Sequence, residues 1–463
     1  MKVSHTPAAV SATFDEPNLI ADAGLVSVLR LAERAGLPQQ AAHTVRIQHT
    51  SAGANPAAKV MSVVAAMCAG ADSIDDCDRL RHGAMPALFD GVRAPSTLGT
   101  FLRSFTHGHT RQLHRVHREV LANLAAHTPL LPGADALAFI DIDPTHRRVY
   151  GQAKQGAQVG RLKGQRTLHP LLATVCTPIA RPVIAAVRLR CGKAADVRGA
   201  ASFVAETLAI TGEAGCTGVR IVRADAKFYT AEVVAACRRA GARFSLTTGM
   251  NPSIAAAIST IEETAWIPIH YPQAFVDPDT GELVSDAEVA EIGYTAFCSR
   301  PKSEQVRARL IVRRVRRCNA QGAQGQGELF TTWRYHAVFT DSPFELLQAE
   351  ADHRRHAVVE QVIADGKSGP LAHLPCGRFA ANAAWLILWA ISYNLLRATG
   401  ALASVFHARA TTTTIRAHLV AVPARLAYSA RRLALHLPRG WPWRDAWMSL
   451  FDATHRSPPL RTA

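Results

Sequence analysis

Residues 138–143 read AFIDID, an apolar run whose last four positions alternate isoleucine with aspartate. A period of two puts Phe139, Asp141 and Asp143 on one face of a strand, with Ile140 and Ile142 on the other. Such a strand belongs inside a sheet, yet two carboxylates one pleat apart repel each other. Something positive must stand over that face, either a basic side chain or a divalent metal. The fold is thereby restricted to one in which the end of a buried strand is also a charged site.

The texture of the chain changes just before this strand. From residue 19 to about 130, apolar residues recur at helical spacing in LIADAGLVSVLRLAERAG, AAKVMSVVAAMCAGADSIDDCDRL and TLGTFLRSFTHGHTRQLHRVHREVLANL. Ala94-Pro95-Ser96-Thr97 breaks the pattern and supplies a cap before the last of these. After Pro132-Gly133 the segments ALAFIDID, RRVYG, TLHPLLATVC and VIAAVRLR read as strands. ASFVAETLAIT, GVRIVRAD, TAEVVAACRRAG and RFSLTTG then alternate helix with strand, which implies a mixed α/β sheet. The glycine-rich link GQAKQGAQVGRLKGQ has no G-x-x-x-x-G-K-[ST] pattern and reads as a β-hairpin rather than a phosphate loop.

Residues 264–344 form a mostly β block: AWIPIHYP, YTAFCSR, VRARLIVRRVRR and LFTTWRYHAVFTD, separated by turn-rich spacers. Arg307, Arg309, Arg313 and Arg317 share one face of the third strand, either as charge guarding a solvated edge or as a contact for DNA backbone. Helix resumes with FELLQAEADHRRHAVVEQVIADG and RFAANAAWLILWAISYNLLRATG. The apolar run Ala383 to Ile391 is too short to span a bilayer and reads as a buried helix. The last part of the chain sets nine Arg against two acids, interleaved with Trp441, Trp443 and Trp447. It reads either as a basic tail on DNA or as a helical cap.

A net charge of +16, from 52 Lys and Arg against 36 Asp and Glu, predicts an anionic partner, nucleic acid before a membrane surface. The nine Cys include no C-x-x-C pair, so neither a zinc knuckle nor a disulfide framework is signalled. The opening MKVSHTPAAVSATFDEPN has no apolar h-region, and the expected compartment is the cytoplasm, on the nucleoid DNA. His107, His109, His114 and His117 read as a solvated helix face before a metal site.

Chemistry gathers around three acids. Asp143 ends one apolar strand, and Asp225 stands where a second, GVRIVRAD, stops. On a continuous helix His353, His356, Glu360 and Lys367 fall on one stripe. Two strand-end aspartates and a helical glutamate supply hard oxygen ligands of the kind Mg²⁺ takes. A pair of such ions about 3.5–4 Å apart serves phosphoryl transfer.

The segments FIDIDPTHRRVYGQAKQGA, IVRADAKFYTAEVV and VVEQVIADGKSG, followed by FAANAAWLILWAISYNLLR, resemble bacterial insertion-sequence transposases of the DDE superfamily. The resemblance is to the family numbered thirteen-eighty, related to the Tn-five group, and it spans residues 60 to about 440. It implies an α/β RNase H-like core, a mixed sheet with flanking helices, interrupted by a mostly β insertion domain. An all-α N-terminal region and a helical C-terminal tail complete that layout. The divisions are residues 1–130 for the helical end-binding region, 131–260 and 345–400 for the two parts of the core, 261–344 for the insertion, and 401–463 for the basic tail.

Carried over, the catalytic and metal-binding triad is Asp143, Asp225 and Glu360. Asp143 is followed two residues later by Thr145, as in the family, which leaves Asp141 a supporting role. The implied cofactor is Mg²⁺, two ions, with Mn²⁺ able to substitute. The family's Tyr-Arg-Glu-Lys helix is matched at Glu360 and Lys367 and departs at His353 and His356; the expected DNA contacts are Lys367, Arg354, Arg355, His353 and His356, with Trp333, Arg307 and Arg309 from the β block. Arg354 or Arg355 would then make the phosphate contact that histidine does not. Trp333 and Trp266 are candidates to stack on a flipped base, or core aromatics. The implied activity is cut-and-paste transposition by phosphodiester hydrolysis and strand transfer. The implied partners are double-stranded DNA, as inverted repeats and target, and a second copy of the chain, without a membrane. The alternatives are an RNase H-like nuclease that does not join strands and an inactive DNA-binding protein.

Overall fold

The computed structural model describes residues 4–47, 51–160, 162, 164–269, 275–276, 283–284, 287–316 and 333–456. Nine strands form one sheet: β1 (Leu137–Pro144), β2 (Leu171–Cys176), β3 (Val183–Arg188), β4 (Val219–Ala224), β5 (Arg243–Thr248), β6 (Ile267–Ile269), β7 (Ala287–Ala296), β8 (Val306–Arg316) and β9 (Trp333–Thr340). Their spatial order is β6-β7-β8-β9-β5-β4-β1-β2-β3. β4 runs parallel to β1 and to β5, and every other pairing is antiparallel. Parallel neighbours need crossovers, which the expected helices supply.

The helices used below are α1 (Pro56–Ala69), α2 (His107–His127), α3 (Ala200–Glu213), α4 (Ala231–Arg239), α5 (Leu346–Arg354), α6 (Val358–Lys367), α7 (Phe379–Ala403) and α8 (Arg444–His455). α3 lies between β3 and β4 in the chain, and α4 between β4 and β5. α7 is long and apolar enough to cross a membrane, longer than its apolar run suggests, but it is mostly buried inside the protein. Its Asn394 side chain accepts from Ile184 N and donates to Ile184 O, both at 2.8 Å, so a helix side chain covers the edge strand β3. His117 of α2 is buried against the same Asn394, so this histidine belongs to the core and not to a solvated face.

Four expectations change on contact with the structure. The segment TLGTF…LANL is two helices, because Thr106 and His109 close a capping box that starts α2. Pro95 opens the first of the two, although Ala94 at its cap makes no side-chain bond. The strand expected over YTAFCSR ends at Ala296, since Phe297 turns the chain at φ 63°. The tail is not helical throughout: Ala424–Ser429 and Arg432–His436 form a hairpin that pairs with Leu19–Ile20. In ARLAYS only Ala424 and Leu426 are buried, a period of two inside what was expected to be helix.

The fourth change concerns β8. It lies between β7 and β9, so it is no edge strand. Arg309 is engaged by Glu291 at 2.7 Å and by the carbonyls of Ser342 and Phe344, and Arg313 lies 3.7 Å from Glu350. Arg307 is exposed, and Arg317 lies outside the described residues. The strands of the β block continue the main sheet through β9, which pairs with β5 from Ala337↔Thr248 to Thr340↔Ser245.

Candidate active site

β1 and β4 pair in parallel register from Leu137↔Val219 to Ile142↔Ala224, with Asp141 opposite Arg223. Asp143 and Asp225 each follow the last residue paired between these two strands, so they emerge side by side at one end of the ladder. Alternation puts Phe139, Asp141 and Asp143 on the same face as Ile221, Arg223 and Asp225. The helix carrying Glu360 packs on that face, where Val358 meets the cluster Phe139, Cys176 and Ile221. Gly366 lets the far end of α6 approach α7, because a Cβ there would come within 2.6 Å of the Trp389 ring.

Two residues along these strands separate very different environments. Asp141 is fully buried and bound by both arms of the Arg223 fork, Nε to Oδ1 at 2.7 Å and Nη2 to Oδ2 at 2.8 Å. The guanidinium stacks 4.2 Å over Phe139 and donates its remaining arm to the backbone oxygen of Asp352. Burial raises Asp141 and Arg223 opposes it; burial lowers Arg223 and Asp141 carries it back above its ordinary value. Arginine does not release its proton, and both carboxylate oxygens are bonded, so the two form an ion pair. The positive group demanded by the alternating strand is, at Asp141, a basic side chain.

Among the described residues Asp143 has no such partner. Burial pushes its carboxyl up, Asp225 and Glu360 push it further, and Lys227 and Lys367 pull it back, to about 7. All three predicted acids therefore share one electrostatic neighbourhood. Asp225 is half-exposed and caps the turn Ala226–Phe228, its Oδ1 accepting from Lys227 N at 3.0 Å. Lys227 Nζ lies 3.4 Å from Asp225 Oδ2 and 3.6 Å from Oδ2 of the buried Asp196. Glu360 is exposed in the first turn of α6. Lys367 closes that helix, lowered by burial and by Arg147 and raised again by Asp143.

Among the described residues no three His, Cys, Asp or Glu side chains gather as a ready-made ion site. The donor chemistry nonetheless fits a divalent metal. Three hard carboxylates share one end of the sheet, and burial together with the other two acids raises Asp143, so a cation there would be favoured.

The helix expected to carry one long stripe is interrupted. α5 and α6 are separated by a tight turn, Arg355–Ala357, which takes His353 out of line with Glu360. His353 is buried, with its ring nitrogens 2.9 Å from Ser245 Oγ and 2.9 Å from Thr247 Oγ1, and burial brings it down to about 3. Its ring fastens α5 to β5. His356 Nδ1 faces the His353 carbonyl at 3.0 Å, and Arg354 Nε donates to Glu350 at 2.9 Å. Arg355 is mostly exposed while holding Asp352 Oδ1 at 3.0 Å.

Trp266 and Trp333 lie away from the acids, across a shared partner. Arg314 is sandwiched between their rings, 4.3 Å from one centroid and 4.4 Å from the other, and is held by Glu263 and by Glu288 at 2.5 Å. With Met250, Ile258 and Tyr335 they line a cavity of ≈ 560 Å³. In the tail, Trp447 is buried and Trp443 stacks 3.3 Å from His418, so both serve a packed cap. Sequence reasoning missed Arg223, Lys227 and Arg147. Arg223 had a legible signal, since it precedes Asp225 by the same two residues that separate Asp141 from Asp143.

The family profile described as transposase DDE domain group 1 matches residues 4–459. No curated protein matches the chain. Among solved structures, a cryo-EM structure of a piggyBac transposase synaptic complex with hairpin DNA aligns at 10% identity and TM-score 0.42. That alignment covers 96% of this chain and 83% of that one. So distant a likeness carries no argument here.

Proposed function

Because the chain belongs to the family of transposase DDE domains, group 1, it is a DNA transposase, and we propose that Asp143, Asp225 and Glu360 are its catalytic triad. The observation that carries this assignment is the parallel register that brings Asp143 and Asp225 side by side, with the Glu360 helix packed on the same face, from residues far apart in the chain. The order β3-β2-β1-β4-β5, with β1, β4 and β5 parallel, supports reading that half of the sheet as an RNase H-like core. On this reading 261–344 is an insertion carried on the β5 edge, 1–130 recognises the element's ends, and 401–463 closes the helical layer. The kinship is with insertion-sequence transposases of the thirteen-eighty and Tn-five kind.

Divalent metal, two Mg²⁺ with Mn²⁺ as a substitute, would be held by the three carboxylates and would supply Lewis acidity to the attacking and leaving oxygens. The chain's own groups do the rest. Asp143 and Asp225 are fixed by paired strands and Glu360 by α6, which sets the spacing of the three carboxylates that would hold the metal. Lys367, Lys227 and Arg355 draw the DNA backbone in by charge. Water attacks phosphorus and the P–O3′ bond breaks, leaving a 5′-phosphate; the freed 3′-hydroxyl then attacks a target phosphate in line, breaking the target's P–O3′ bond and releasing its 3′-hydroxyl. The Trp266–Arg314–Trp333 cavity is of a size and chemistry to hold an unstacked base. His353 makes no DNA contact on this reading, because its ring is already bonded on both sides. Two ends brought together require two copies of the chain.

The test is a duplex ending in the element's own inverted repeat, offered intact and precut, with Mg²⁺. Nicking of the first and joining of the second to a target plasmid support the reading. Nicking without joining would make the protein a nuclease. Binding without either would make it a DNA-binding protein.

A further inference from the structure

One pleat below Asp143 and Asp225, their strands and the helix that precedes the Glu360 helix converge on one buried side chain. Arg223 is 1% exposed, and its three donor groups each have a destination. Two bind Asp141, which precedes Asp143 by two residues on β1. The third binds the carbonyl of Asp352 in α5, just before the turn that leads into the Glu360 helix. Arg223 itself precedes Asp225 by two residues on β4. One planar group thus ties the two strands that bear Asp143 and Asp225 to the helix that leads, through one turn, into the Glu360 helix.

We propose that Arg223, with Asp141, is a positioning residue that sets the spacing of Asp143, Asp225 and Glu360. The inference rests on the triad assignment above and goes beyond it. Three carboxylates repel one another, so their segments need an attraction elsewhere to stay close. A guanidinium supplies it with fixed geometry, because its fork is planar and the Phe139 ring lies against it at 4.2 Å. A lysine at the same place keeps the charge and loses the fork. The residue does not reach the substrate; it acts through the backbone it ties.

Three proteins are compared with wild type: Arg223→Lys, the apolar pair Asp141→Leu with Arg223→Met, and Asp143→Asn as reference. Each is measured for thermal midpoint, for binding of the end duplex, for Mn²⁺ affinity by titration calorimetry and for nicking. Replacing both members of a buried ion pair leaves no orphan charge, so the double variant is expected to stay folded and to bind duplex within about twofold of wild type. Its Mn²⁺ affinity and its nicking rate are each expected to fall about 10–100-fold, as when groups that orient metal ligands are removed. Arg223→Lys is expected to raise the half-saturating Mn²⁺ concentration and to recover part of the rate at high Mn²⁺.

A folded double variant with wild-type Mn²⁺ affinity and nicking overturns the proposal, leaving the pair a purely structural one. Should the double variant not fold, Arg223→Lys decides: unchanged metal dependence overturns it, and a raised half-saturation supports it. Asp143→Asn separates the two failures. If that variant also binds Mn²⁺ and nicks normally, the triad assignment has failed; if it alone is impaired, only the role of Arg223 has.

Discussion

Asp141 and Asp143 stand on the same strand, on the same face, two residues apart, and meet opposite conditions. The lower acid is fully buried and held by a guanidinium through two bonds; the upper one faces two further acids. What separates them is the partner across the parallel ladder, Arg223 opposite the first and Asp225 beside the second. The comparison teaches that one strand pair can both neutralise and concentrate charge within a single pleat. The neutralised pair holds the strands together, and the concentrated group gathers carboxylates of the kind a divalent cation takes.

The largest expected effect breaks the upper half. Asp143→Ala, Asp225→Ala and Glu360→Ala are each expected to lower nicking of an end duplex about 1,000-fold or more, because the three act as a unit. Duplex binding, read by fluorescence anisotropy, should remain. A single variant that nicks normally removes that residue from the site.

Stability then separates the two acids in sign. Asp141→Asn leaves Arg223 buried without its counter-charge and is expected to cost about 3–5 kcal/mol in urea unfolding. Asp143→Asn removes a carboxylate that burial and two acids disfavour. With a chelator present at pH 8 it is expected to stabilise the fold by about 1–3 kcal/mol. Equal destabilisation by both substitutions would erase the contrast.

Smaller effects sharpen it further. Lys367→Ala is expected to weaken binding of the end duplex about tenfold and to reduce its salt dependence by about one released counterion. His353 gives a pH signature on the closed side of the face. Its folded pKa, about 3, lies below its ordinary 6.5, so the unfolded chain binds the proton first as the solution is acidified. The stability this histidine contributes is whole above pH 6.5 and is lost as pH falls towards 3, at up to about 1.4 kcal/mol per pH unit. His353→Gln should flatten that part of the unfolding free-energy profile relative to wild type.

Much of this site was legible in the sequence, for local reasons. FIDID and GVRIVRAD announce their strands by period, and their acids mark where the apolar runs stop. The parallel register that sets Asp141 against Arg223 was not legible, because it depends on two strands separated by some eighty residues meeting without a slip. The break at Arg355–Ala357 was hidden as well. Nothing in HRRHAVVE disfavours helix, and the turn follows from docking His353 onto β5. The arginines of β8 misled for a related reason: a period of two gives the face of a strand but not what covers it, and here acids and carbonyls of neighbouring elements do. The tail hairpin escaped notice because its partner, Leu19–Ile20, lies at the other end of the chain.

The central claim is that one cation site draws on three remote stretches of sequence. Fe²⁺ substituted for Mg²⁺ and treated with ascorbate and peroxide cuts backbone close to wherever it is bound. The account predicts cleavage near residues 143, 225 and 360 together, competed by Mg²⁺ and absent from Asp143→Asn. Cuts confined to one of the three stretches, or a pattern unchanged in that variant, would contradict it.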